Sequence, residues 1–210
     1  MAMEGRMKLG VFGGTFDPIH KAHLTVAEEV RSQLGFAEIL FIPAGQPWLK
    51  ASSPISAAEH RLEMVRLAIA DKPYFKLSPL EIERAGPSYT VDTIAELKRQ
   101  CADDELFFIL GWDNFAQLPQ WWESGRLITM CQLVVVPRPG YPAPNLERLE
   151  AMIPGLSRKV ILMDKPEIDI SAEEIRRRVA RGLSINHLVP EPVDRYIKQH
   201  QLYKATGGIS

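Results

Sequence analysis

An α/β fold is predicted: a Rossmann-like parallel sheet with helices on both faces and a small C-terminal helical portion. Three observations predict it. Short apolar runs alternate with helix-like stretches along the chain, the βαβα rhythm of a parallel sheet wound on both sides. The runs from Glu38 to Ile42, Leu106 to Leu110 and Leu133 to Val136 are short and almost continuously apolar, which suits strands covered on both faces. A glycine turn, Gly13-Gly14, directly follows the first apolar run and opens a helix-like segment near Lys21. Ligands of such sheets sit at the carboxyl ends of the strands.

The strands are expected at 8–13, 38–42, 75–77, 106–110, 132–136 and 159–163. The helices are expected at 21–34, 56–71, 90–101, 145–152, 171–181 and 190–199. The proline-rich stretch Pro137 to Pro144 reads as a rigid loop, not a boundary. One domain is expected over 8–203, with 1–7 and 204–210 as flexible ends.

Composition narrows the function. The chain has 210 residues, 46% hydrophobic and 24% charged, with a net charge of −1. No basic surplus argues for nucleic acid, so any phosphates it binds are expected on small molecules. No segment approaches the length of a membrane span, and no signal-peptide core is visible. Cys101 and Cys131 show no CxxC spacing and read as reduced thiols of a cytoplasmic protein. The dinucleotide fingerprint GxGxxG is absent, which weakens a dehydrogenase reading.

The run Gly13-Gly14-Thr15-Phe16-Asp17-Pro18-Ile19-His20-Lys21-Ala22-His23 carries the most chemistry. Glycines let a backbone approach a ligand, and free helix N–H groups attract anions. His20 and His23 lie three apart and share a helix face. An imidazole near pKa 6.5 can donate to a phosphate oxygen in either charge state. A zinc pair is the rival, but His60, His187, His200 and the cysteines supply no further ligand-spaced cluster.

Other anion-seeking residues follow later strands. Lys50 is a point charge in the loop after the second strand. Ser88 or Thr90 is a plausible cap for the helix at 90–101, and Tyr89 offers a flat ring beside that helix start. Gly111 and Asp113 stand at a strand end, where an aspartate commonly accepts ribose hydroxyls. Arg138, after the fifth strand, is a natural clamp for a phosphate monoester. Ser171 reads as an N-cap with Glu174 at the capping-box position, and Arg176 completes an anion site there.

These motifs resemble the bacterial nicotinate-nucleotide adenylyltransferases. That family lies within the nucleotidyltransferase superfamily that shares HxxH logic with class I aminoacyl-tRNA synthetases. The resemblance rests on the Gly13–His23 signature and the octet Gly86-Pro-Ser-Tyr-Thr-Val-Asp-Thr93. It also rests on Gly111-Trp112-Asp113 and on Ile170-Ser171-Ala172-Glu173-Glu174-Ile175-Arg176, and it spans residues 8 to 203. It implies transfer of the adenylyl group of ATP to nicotinate mononucleotide, giving deamido-NAD and pyrophosphate.

It also implies roles. Gly13, Gly14, Thr15 and Phe16 form the substrate turn, with His20 and His23 on the ATP phosphates. Lys50, Ile170, Ser171 and Arg176 hold the triphosphate end. Tyr89 and Thr90 contact nicotinate, and Trp121 stacks on its ring, with Trp122 as packing. Gly111 and Asp113 bind nucleotide, and Arg138 binds the mononucleotide phosphate. Magnesium travels with ATP, and no protein metal cage is expected. The chain departs from the family at Trp48-Leu49, Trp112, Ala172 and Glu173. Alternatives are another acceptor (nicotinamide mononucleotide or phosphopantetheine) or a non-catalytic nucleotide-binding module. Oligomeric state is left open.

Overall fold

The structure, a computed structural model, describes residues 7–48 and 54–204. Lys50 lies outside the described residues. Strand β1 (Lys8–Gly14) leads through α1 (Lys21–Leu34) to β2 (Glu38–Pro43), then through α2 (Ala58–Ile69) to β3 (Phe75–Leu77). The short α3 (Leu80–Glu83) and α4 (Thr90–Gln100) return the chain to β4 (Glu105–Gly111). Next come α5 (Trp112–Ala116), α6 (Ser124–Met130) and β5 (Gln132–Val136). Helix α7 (Leu146–Met152), edge strand β6 (Val160–Leu162), α8 (Ala172–Ala180) and α9 (Glu191–Gln199) complete the order.

The sheet has the order β3-β2-β1-β4-β5-β6, with every neighbouring pair parallel. Successive strand residues face opposite sides. Phe12, Phe41, Phe107 and Val134 therefore fall in one core layer, and Val11, Ile42, Phe108 and Val135 in the other. The first layer is covered by α1, α2, α8 and α9 through Val30, Met64, Ile175 and Val193. The second is covered by α4, α6 and α7 through Ile94, Leu127 and Leu149. The chain winds outward in opposite directions from β1 and β4. Their carboxyl ends, Gly14 and Gly111, flank the crevice where such sheets bind ligands.

The six expected strands are present with shifted ends. Strand β1 extends to Gly14 and β2 to Pro43, while β6 shrinks to three residues. The helix expected at 56–71 is Ala58–Ile69. Helices α3, α5 and α6 were not expected; at 4, 5 and 7 residues they are too short for a 3.6-residue period to register. Helix α6 also follows Glu123, a non-glycine residue with φ 49°, and no local sequence preference announces that conformation.

Candidate active site

The turn after β1 is built around buried side chains. Phe16 takes φ 49°, in the left-handed region, and its ring is 3% exposed. It packs against Phe12, Phe41 and His23, with centroids 5.8, 5.9 and 5.1 Å away. The Phe16 ring thus supports the turn from the core, and what the residue offers a ligand is its backbone. His20 is the N-cap of α1 and 5% exposed. Its ring stacks on that of His23 with centroids 3.7 Å apart and planes 22° apart.

The His20 backbone N–H donates to Nδ1 of His23 at 3.2 Å. That bond leaves Nε2 as the protonated nitrogen of a neutral His23. Nδ1 of His20 is buried without a hydrogen-bond partner. Burial, and secondarily the nearby Arg138 cation, push the His20 pKa down to about 3. The sequence suggested an imidazole titrating near neutrality. In the free protein the ring is instead neutral, because a buried imidazolium loses hydration and faces a guanidinium.

Several distant residues fix this turn. The buried Asp17 carboxylate accepts from the Ser56 N–H at 3.2 Å and from the Tyr203 hydroxyl at 2.6 Å. Arg176 of α8 donates to the Asp17 backbone carbonyl at 2.7 Å, which brings an expected phosphate ligand onto the turn. Arg61, 2% exposed, spans two loops. Its Nη1 donates to the carbonyls of Thr15 (3.0 Å) and Ala44 (2.5 Å), Nη2 to Gly45 (3.2 Å) and Nε to Ser56 (2.9 Å). The sequence reading missed Arg61. A signal was present: Arg61 heads the buried stripe Met64, Val65, Ala68 and Ile69 on α2, so a cation stands on the apolar face.

The other side of the crevice begins at α4. Its N-cap is Tyr89, without a side-chain cap bond. The expected caps Ser88 and Thr90 do not act as such. Ser88 is drawn to the loop after β2, where its Oγ accepts from the Gln46 N–H at 3.1 Å and its N–H donates to the Gln46 carbonyl at 2.9 Å. That loop runs tight against α3, and a Cβ on Gly45 would lie 2.1 Å from the Glu81 carbonyl oxygen. The first turn of α4 therefore keeps N–H groups that no side chain caps.

Beside it the Tyr89 ring lies nearly parallel to Trp122, with centroids 5.7 Å apart, and Trp48 sits at 5.8 Å. Trp122 is 58% exposed. Trp122, expected to pack, is the more exposed of the two indoles. Trp121 leans edge-on against Phe108 at 6.1 Å and is partly buried on the second core layer, with Nε1 unpartnered.

Between the two sides stand Gly111 and Asp113. A Cβ on Gly111 would come 2.6 Å from Asp113 Oδ1, so any side chain there would push the carboxylate aside. Arg138 Nη1 donates to Asp113 Oδ2 at 2.6 Å; the two residues assigned to separate substrate groups are paired with each other. Arg138 also borders a cleft of ≈ 230 Å³ with Tyr141, Ile170, Ser171 and Glu173. Ser171 caps α8 as expected, accepting from the Glu174 N–H at 3.2 Å. The Glu174 carboxylate turns to Arg177 and Arg178, not back to the cap, because cationic neighbours one turn on compete for it. Glu173 is exposed. A larger hollow of ≈ 490 Å³ between α3, α4 and α6 holds none of the expected site residues.

Among the described residues no group of three or more His, Cys, Asp or Glu is placed to hold a metal ion. None of the described helices is long and apolar enough to cross a membrane.

Residues 11–178 match the cytidylyltransferase-like family. The chain is 50% identical over 198 residues to a probable nicotinate-nucleotide adenylyltransferase of Dehalococcoides mccartyi (strain CBDB1), covering 94% of this chain and 97% of that relative. The chain belongs to the nicotinate-nucleotide adenylyltransferase family. A family member from Thermus thermophilus, also named a probable nicotinate-nucleotide adenylyltransferase, is 45% identical over 94% of this chain and 100% of its own length.

The nicotinic acid mononucleotide adenylyltransferase of Plasmodium falciparum, solved with NaAD, superposes with a TM-score of 0.79. It is 21% identical and covers 94% of this chain and 98% of its own. That likeness establishes the shared fold. In this member of the nicotinate-nucleotide adenylyltransferase family, the Gly13–His23 turn, the Gly111–Asp113 strand end, Arg138 and Arg176 meet at the switch point. The Tyr89–Thr90 helix start borders them.

Proposed function

We propose that the chain, acting as one unit over residues 8–203, transfers the adenylyl group of ATP to nicotinate mononucleotide, forming deamido-NAD and pyrophosphate in the cytoplasmic synthesis of NAD. The observation that carries the reading is the stacked His20–His23 pair at the head of α1, with a buried, unpartnered Nδ1 on His20. A buried polar atom without a partner is unfavourable, and a phosphate oxygen is the ligand that a helix start and two imidazoles would attract.

The chemistry follows from charge. A 5′-phosphate oxygen of nicotinate mononucleotide attacks the α-phosphorus of ATP in line. The new O–P bond forms as the bond from the α-phosphorus to its bridging oxygen breaks, and the electron pair leaves with pyrophosphate. Such transfer needs positioning and neutralisation, not a covalent nucleophile. His20 and His23 meet the α- and β-phosphate oxygens. Gly13, Gly14, Thr15 and Phe16 offer backbone around them. Arg176, Lys50, Ile170 and Ser171 hold the pyrophosphate end. Phosphate charge beside His20 raises its pKa from the low value of the free protein.

Arg138 takes the mononucleotide phosphate and Asp113 a ribose hydroxyl. Each gives up the other, and the exchange costs little because such a partly exposed ion pair is weak. Thr90 offers N–H groups to the nicotinate carboxylate, with Tyr89, Trp121 and Trp122 around the ring. Magnesium bound with ATP would neutralise its phosphates. The donor set fits that role: Asp17 is buried with both oxygens accepting from the chain itself, so the ion's oxygens would come from substrate and water.

The departures at Ala172 and Glu173 leave the α8 start intact, since Ser171 still caps it and Glu173 is exposed. This weighs against a non-catalytic nucleotide-binding module. The test is product identity: ATP, magnesium and nicotinate mononucleotide should yield pyrophosphate and deamido-NAD in equal amounts. Pyrophosphate formed only with another phosphate ester would overturn the substrate assignment.

A further inference from the structure

We propose that Tyr203, near the end of the chain, is a positioning residue of the active site: its hydroxyl, bonded to Asp17, holds the turn that presents His20 and His23. The inference rests on the adenylyltransferase reading above. The bond spans 186 positions in sequence, at 2.6 Å, and reaches the residue three before His20. The Asp17 carboxylate is turned inward, a buried countercharge to Arg61. Oδ1 accepts from Tyr203 and Oδ2 from the Ser56 N–H, and the side chain is buried. Both bonds come from the chain itself, from two separate segments. Its role is to be held.

The segment that delivers Tyr203 is unusual in its backbone. Gln201 has φ 53° and Tyr203 φ 62°, both left-handed without glycine. Such residues persist where the surroundings over-determine them, and they concentrate near functional sites. Leu202 is pinned between them, its N–H donating to the Ile197 carbonyl at 3.1 Å. The chain thus leaves α9 through two unfavourable conformations and places one hydroxyl on the signature turn. Arg176 bonds the carbonyl of the same Asp17 at 2.7 Å. Displacing Asp17 would move the histidines and the α8 arginine together. The start of α4, which faces the acceptor, shares none of these bonds.

Tyr203→Phe keeps the ring and removes the bond. At a temperature well below its melting point, kcat should fall about 10-fold, the scale of one lost hydrogen bond to a charged group amplified by misplacement of reacting groups. KM for nicotinate mononucleotide should stay within about two-fold, because its contacts lie elsewhere. A folded Tyr203→Phe with unchanged kcat, even with a lower Tm, would make the tyrosine merely structural and overturn the proposal. So would a loss confined to KM for the mononucleotide. If Tyr203→Phe does not fold, Asp17→Ala removes the acceptor of that bond together with that of the Ser56 N–H: a lower kcat at constant mononucleotide KM supports the proposal, and an unchanged kcat overturns it. A wild-type chain without turnover in the same assay would instead remove the reading on which the proposal stands.

Discussion

On the β1 side of the crevice, the side chains that shape the turn are buried and bonded. Arg61 reaches four carbonyls, Asp17 is closed by Tyr203 and Ser56, and His20 is 5% exposed. On the α4 side, Trp122 is 58% exposed over Tyr89, and the helix start has no side-chain cap. The difference matches the two tasks. Charge that develops on a phosphate is best met by groups that need not reorganise, and the side proposed for the triphosphate is locked in advance. The side proposed for the flat acceptor keeps open rings and uncapped N–H groups.

The largest expected effect breaks the locked side. Arg61→Ala would leave the carbonyls of Thr15, Ala44, Gly45 and Ser56 without their donor, at about 1–3 kcal/mol for each that stays buried. Urea unfolding should show a loss of at least ~3 kcal/mol; a loss below ~1 kcal/mol would mean that the loops are held by other contacts. Next comes the chemistry on that side. His20→Ala and His23→Ala should each lower kcat by about 100-fold, the usual effect of removing one electrostatic donor. Steady-state kinetics with near-normal turnover in both variants would sink the assignment.

Acid sharpens the comparison further. The His20 pKa is pushed down to about 3 in the folded protein, against about 6.5 unfolded. Between these values the unfolded chain binds the extra proton, so His20 costs no stability above about pH 6.5 and its contribution is lost as pH falls toward about 3. The expected slope is about 1.4 kcal/mol per pH unit in that window. Denaturation at several pH values should show a shallower slope in His20→Gln; identical slopes would mean that His20 is not held neutral. The smallest effect belongs to the open side. Trp122→Ala should raise KM for nicotinate mononucleotide about 2- to 10-fold, the worth of one aromatic contact, with kcat and Tm nearly unchanged. A fall in kcat instead would place Trp122 in the locked machinery.

The sheet was legible in the sequence because its strands are covered on both faces, and continuous runs such as Leu106–Leu110 have few other uses. The strand-end turn at Gly13–Gly14 and the shared helix face of the two histidines were legible from residue types and spacing alone. The charge state of His20 was not, because it depends on burial and on Arg138, which stands 118 positions later. The partners of Asp17 were hidden for the same reason: Ser56 and Tyr203 meet it only in the fold. Arg61 could have been read, since a cation at the head of an apolar stripe must find acceptors inside. Which of the two adjacent indoles is the more exposed had no local signal: Trp121 meets Phe108 on the strand beneath only in the fold.

The most direct test of this division is to run the reaction with nicotinate mononucleotide and, in parallel, with nicotinamide mononucleotide, in wild type and in His20→Ala. An open, acid-selecting side beside a separate phosphate side predicts a strong preference for the acid in wild type. It also predicts the same preference, at a much lower rate, in the variant. Comparable rates with acid and amide in wild type would contradict the selecting role of the α4 start. A preference lost together with rate in His20→Ala would contradict the separation of the two sides.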